Sequence, residues 1–154
     1  MQGIEKLSQA NVAKMEHQIL DHVKQALRVT LDWRVPSVGL PRKLNSVQFT
    51  LQSFQRHLER LLDLEEQGGY MAMVAEKKPN MHFRVERLAE DHASFRSAMR
   101  DLLPVVEALQ EYQCEEFEAI CREIEELLER IDRHDTEEIA LLQEALLMDE
   151  GGEG

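Results

Sequence analysis

The 154-residue chain predicts an all-α fold, an up-down-up-down four-helix bundle, on three observations. Leu, Glu, Arg, Ala and Gln dominate, β-branched residues are few, and there are only four prolines and seven glycines. That mixture favours helix almost throughout. Apolar residues recur in alternating steps of three and four, the spacing of one buried helix face. Breaks rich in Pro and Gly are rare, and they divide the chain into four long segments with short joints. The length suits one domain with a real core, expected over residues 1–148. The tail, 149–154, "DEGGEG", is expected to be disordered.

Helix A is expected from about Glu5 to Arg34, ending where "VPSVGLPRK" brings two prolines and a glycine. Its apolar arc is Val12, Ile19, Leu20, Val23 and Leu27, with Trp33 expected in the core near the first joint. Glu16 lies inside that arc, and His17 and His22 lie on its two flanks. Helix B is expected from Asn45 or Ser46 to Gln67, with Gly68-Gly69 as its stop. Its stripe is Val47, Leu51, Phe54, Leu58, Leu61 or Leu62, and then Glu65. A connector, "YMAMVAEKKPN", has room for a short helical turn before Pro79.

Helix C is expected from Asn80, a candidate N-cap, to about Gln110, with a kink at Pro104. Its stripe is Met81, Val85, Leu88, His92, Phe95, Met99, Leu102 and Val106. Helix D is expected from about Glu115 to Met148. Its stripe is Phe117, Ile120, Ile124, Leu127, Ile131, His134 with Asp135, Glu138, Leu142 and Ala145.

These stripes place ionisable groups where leucine would cost nothing. Glu65 takes a core position on helix B, and His92 sits in the middle of the helix C stripe. His134 and Glu138 are four apart, so both point from one face of helix D. Antiparallel packing brings these groups, and Glu16 and His17, to a similar height in the core. Isolated buried charges cost several kcal/mol each. A metal ion, a proton-shared carboxylate network or salt bridges would offset that cost. Imidazole plus carboxylate from facing helices is a ligand set for iron, manganese or zinc. A single His-x-x-x-Glu means little, as with His82 and Glu86 off the helix C stripe. The coincidence with Glu65 and His92 gives the pair at His134 its weight.

Composition excludes several function classes. A net charge of −12 argues against nucleic acid and against anionic membrane surfaces. No apolar run reaches the length of a membrane span, and the N-terminal stretch lacks a signal-peptide core. Cys114 and Cys121 would lie about 10 Å apart along one helix, too far for a bridge. A reducing, cytoplasmic setting is expected. There is no Ser-His-Asp order, glycine-rich phosphate loop or Cys-x-x-Cys, so no enzyme is expected.

Four segments together resemble the hemerythrin-like (HHE cation-binding) domains. "EHQIL" (16–20) is similar to the family's first-helix Glu-His-x-x-Leu. "LLDLEEQGGYM" (61–71) is similar to its second-helix segment, and "LAEDH" (88–92) to its third-helix histidine segment. "HDTEEIALLQEALLMDEG" (134–151) is similar to the fourth-helix His-x-x-x-Glu and its tail. The resemblance implies a bundle holding non-heme iron, mononuclear or dinuclear, that binds or senses dioxygen, senses redox state, or handles iron. The ligand positions it implies are His17, Glu65, His92, His134 and Glu138. Two departures stand out. Leu61 replaces the second-helix ligand histidine, and Leu88 stands where full oxygen carriers have another histidine. Leucine cannot ligate a metal, so one ion is expected rather than two.

On residue chemistry alone, the helix A contributor is His17, His22 or Glu16. His57, one turn before Leu61, is expected at the surface or an interface. Two functional readings follow: a degenerate metal site, or a metal-free bundle acting as an interaction or regulatory module. Either allows a protein partner or a homo-oligomer.

Overall fold

The computed structural model describes residues 2–34, 36, 39–67 and 70–151. Five α-helices carry nearly all of them: α1 (Gln2–Asp32), α2 (Leu40–Gln67), α3 (Tyr70–Lys77), α4 (His82–Ala108) and α5 (Cys114–Gly151). A 3-10 turn, Pro79–Met81, leads into α4. The expected stop at Gly68-Gly69 lies outside the described residues.

Several boundaries differ from expectation, each for a local reason. Helix α2 starts at Leu40 rather than near Asn45. Pro41 falls in its first turn, where no N–H is needed and a fixed φ suits the helix. Asn80 is not the N-cap of α4; it lies within the 3-10 turn, and Met81 caps α4 without a side-chain hydrogen bond. The connector holds a true helix, α3, so the described chain has five helices rather than four. Pro104 stays inside α4. Helix α5 runs on to Gly151, so residues 149–151 of the expected tail are helical. Nothing in "LLMDE" breaks a helix before the glycines. Residues 152–154 lie outside the described residues.

Cross-helix hydrogen bonds give the relative directions. Lys43 Nζ donates to the Leu31 carbonyl at 2.9 Å, while His17 meets Glu65, so α1 and α2 run antiparallel. Gln48 donates to the Val106 carbonyl and His92 to Glu66, so α2 and α4 also oppose. Arg130 bonds Ser94 and Arg84 bonds Glu144, which opposes α4 and α5. Lys24 bonds Asp132 and closes α5 against α1.

The predicted stripes of α2 and α4 are buried in full. The main apolar cluster joins α1, α2, α4 and α5, with Leu27, Leu51, Phe54, Phe95, Ile124 and Leu128 among its members. A second, smaller cluster gathers Met71, Val74, Met81, Val85, Leu88, Leu141 and Ala145 at the α3 end. On α5 the buried position is Leu141, with Leu142 only half-buried. On α1 the expected arc divides: Leu20 and Leu27 face inward, whereas Val12 and Ile19 are exposed. Trp33 is 44% exposed and is not a core residue, because the chain leaves the helix just before it. No helix among the described residues is long and apolar enough to cross a membrane.

Candidate metal centre

A polar layer separates the two apolar clusters. Glu65 from α2, His92 from α4, and His134 and Glu138 from α5 are all buried there, none more than 5% exposed. One ligand-type atom from each lies within 4.8 Å of every other. His92 Nε2 is 3.1 Å from Glu65 Oε2, and His134 Nε2 is 3.2 Å from Glu138 Oε2. The two Nε2 atoms are 3.2 Å apart. Below them, the Phe95 ring meets His134 edge-on, with centroids 5.3 Å apart.

The outer ring nitrogens are spoken for. His92 Nδ1 lies 3.0 Å from Glu66 Oε1, and His134 Nδ1 lies 2.9 Å from Asp91 Oδ2. A carboxylate only accepts, so each Nδ1 carries a proton and donates it. In the neutral ring the Nε2 atom is then a bare lone pair. Two such lone pairs face each other and two carboxylate oxygens. With both rings neutral and protonated on Nδ1, the buried Glu65 Oε2 and Glu138 Oε2 receive no hydrogen bond. Four acceptors converging on one point repel unless a positive charge sits among them. The donor set thus fits a divalent first-row ion: two imidazoles, two carboxylates, and carboxylates behind both imidazoles to orient them.

His17 approaches from α1. Its Nε2 is 3.1 Å from Glu65 Oε1 and 3.9 Å from Glu138 Oε1. Each carboxylate therefore offers one oxygen to His17 and the other to the pair of imidazoles. The His17 side chain is 35% exposed, so it is the most open of the five expected residues. The Glu138 and Glu65 carboxylates beside it raise its pKa to about 10, against the opposing effect of burial. For His134 burial acts to lower the pKa, but hydrogen bonds to Glu138 and Asp91 outweigh it and raise the value to about 9. Burial acts to raise the Glu138 pKa, yet the His134 and His17 imidazoles beside it hold it well below the carboxylate range. Asp135, beside His134, is pushed up to about 6, chiefly by burial.

Of the three α1 candidates, the structure brings His17 to the layer. His22 is exposed, with Nδ1 2.7 Å from the Gln18 carbonyl. Glu16 is buried but turns to α2, where His57 Nδ1 lies 2.7 Å and Arg60 Nε 3.6 Å away. His57 is thus a half-buried partner of Glu16 rather than a surface group. Leu61 and Leu88 are each 2% exposed and contribute only apolar surface.

Sequence reasoning missed Glu66 and Asp91. The signal was present in the dipeptides Glu65-Glu66 and Asp91-His92, in which Glu66 and Asp91 sit off the stripe and reach the neighbouring helix. It also missed Lys24, which is buried and donates to Asp132 at 2.8 Å. Two open grooves of about 440 and 570 Å³ flank α4 and α5 near their joint, and none of the five residues lines either. Comparison with protein-family models, with curated proteins and with solved structures finds no match to this chain.

Proposed function

We propose that this chain is a hemerythrin-like up-down-up-down bundle of the cytoplasm that holds one non-heme metal ion, preferentially iron. The observation that carries the reading is the meeting of four buried donors, Glu65, His92, His134 and Glu138, with both outer imidazole N–H groups tied to carboxylates. A structural histidine in an apolar core needs one partner, and this arrangement supplies more than that. Leu61 and Leu88 argue for a single ion, since they remove nitrogen donors on α2 and α4. His17, which faces the remaining oxygens of Glu65 and Glu138, occupies the side on which a second ion would need ligands. A redox-active ion held by this donor set would supply an open coordination position for a small ligand such as dioxygen. The residues themselves would hold the ion, fix the imidazole orientations and exclude water through Phe95, Leu61 and Leu88. The role that follows is sensing of oxygen or redox state, or handling of iron.

Elemental analysis of protein from iron-supplemented cells tests this. About one ion per chain is expected, and less than about a tenth overturns it.

A second reading rests on a specific observation. With His17 at about 10 and His134 at about 9, two imidazolium groups face Glu65 and Glu138. The layer can balance its own charge as a salt-bridge network, and the bundle would then be a metal-free interaction or regulatory module. That reading requires a chelator to leave the melting temperature unchanged.

A further inference from the structure

Helix α1 has two apolar faces. The inward one is Leu20, Leu27 and Leu31, with Glu16 and Lys24 buried beside them. The other is Val12, Met15, Ile19, Ala26 and Val29, interrupted by the polar His22 and followed by Trp33 just past the helix end, every one exposed. Its steps are three, four, three, four, three and four. That spacing suits a buried helix face or a seam between two helices alike, and since this line is exposed on its own chain, the seam is the use left to it. The exposures are large: Met15 62%, Val29 70% and Trp33 44%. Single exposed apolar residues are ordinary, but a line of them marks an interface.

Charge and area identify the occupant. The chain carries −12, and α5 alone holds fourteen acidic residues against three basic ones. Helix α1 carries four of each, and with Glu16 and Lys24 buried and Arg28 paired with Asp132, the exposed charges from Val12 to Asp32 are only Lys14, Asp21 and Asp32. A second copy of this acidic chain can approach α1 without the repulsion it would meet along α5. The exposed fractions of Val12, Met15, Ile19, Val29 and Trp33 leave on the order of 500 Å² of apolar surface per copy. Self-pairing would bury about 1,000 Å² in total, the threshold for a specific interface.

We propose that α1 pairs antiparallel with α1 of a second copy, through the stripe from Val12 to Trp33, to form a two-fold dimer. The two-fold sets His22 against His22 of the second copy. It sets Ala26 against Ile19, and Trp33 against Val12 and Met15, so small faces large along the seam. The same register places exposed Lys14 of each copy near Asp32 of the other. The patch is self-complementary, as a two-fold interface requires. It faces away from the polar layer, so the dimer does not depend on a bound ion.

Sedimentation velocity of the full chain, at about 10 to 200 µM, tests the proposal. A dimer is expected, and a monomer throughout overturns it, leaving the stripe to a different chain. Ile19→Glu with Val29→Glu should give a monomer with unchanged helical circular dichroism, while Phe49→Glu, at an exposed site on α2, should remain dimeric. Persistence of the dimer in the double variant places the interface elsewhere and overturns the proposal. In a Cys114→Ser background, mixed Met15→Cys and Val29→Cys chains should cross-link on mild oxidation. Cross-linking of Met15→Cys with itself instead would overturn the antiparallel register.

Discussion

Glu66 and Asp91 decide what His92 and His134 can do. By accepting from Nδ1 they fix the tautomer, and with it the direction of the free lone pair on each ring. Glu66 is itself held by Arg96, whose two terminal nitrogens lie 2.7 and 3.0 Å from its oxygens. Glu66→Gln or Asp91→Asn should therefore weaken iron(II) binding about 10- to 100-fold while leaving the bundle folded, as isothermal titration would read. Glu65→Leu separates the two functional readings. It abolishes ion-linked stabilisation if the layer holds a metal. In a metal-free network it is neutral or stabilising, because an apolar group in place of a buried charge often is. Thermal melts with and without iron distinguish these outcomes.

Helix α1 shows how packing can override a stripe read from sequence. Its buried side includes Lys24, which donates to Asp132 Oδ1 at 2.8 Å and lies 3.4 Å from Asp21 and 3.8 Å from Asp135. Arg28 bonds the other oxygen of Asp132. Burial acts to raise the Asp132 pKa, but hydrogen bonds from Lys24 and Arg28 outweigh it and hold it below the usual value. A carboxyl depressed in the folded state stabilises above its unfolded pKa and loses that contribution as pH falls through the folded one. Asp132→Asn should thus lower the urea midpoint at pH 7, with the deficit from wild type shrinking as pH falls from the ordinary Asp range, about 4, through the lower folded value. Lys24→Met should cost less than Asp132→Asn, since Arg28 still satisfies the carboxylate while the apolar stem keeps its packing. Helices α2 and α4 were easier to read, because each has one apolar face and that face meets the core. Helix α1 has two, and alternating threes and fours fit both; a single chain cannot say which one its own core will take. Trp33 illustrates the error: it fits the outer line, not the inner one.

The bundle and its polar layer were legible for the same reason, that an ionisable group at a core position is expensive and needs company. Glu65, His92, His134 and Glu138 were found by position on a stripe and meet as expected. Glu66, Asp91 and Lys24 were not, because they sit at the edges of stripes, and only the facing helix determines whether an edge is covered. With apolar clusters on either side of the layer, the proposed ion binding would be linked to global stability. At free iron(II) about 100-fold above Kd, binding should add about 2.7 kcal/mol. A protein of this size should then melt about 5 to 10 °C higher, and a chelator should remove the increase.

The charge imbalance between helices bears on how quickly a cation could arrive. Helix α5, with fourteen acidic residues to three basic, supplies both His134 and Glu138 to the layer. Its field would extend outward about a Debye length, roughly 8 Å at physiological ionic strength, and would favour divalent cations along that flank on their way to the proposed site. Stopped-flow uptake should accordingly slow as inert salt is added, while the release rate stays nearly constant.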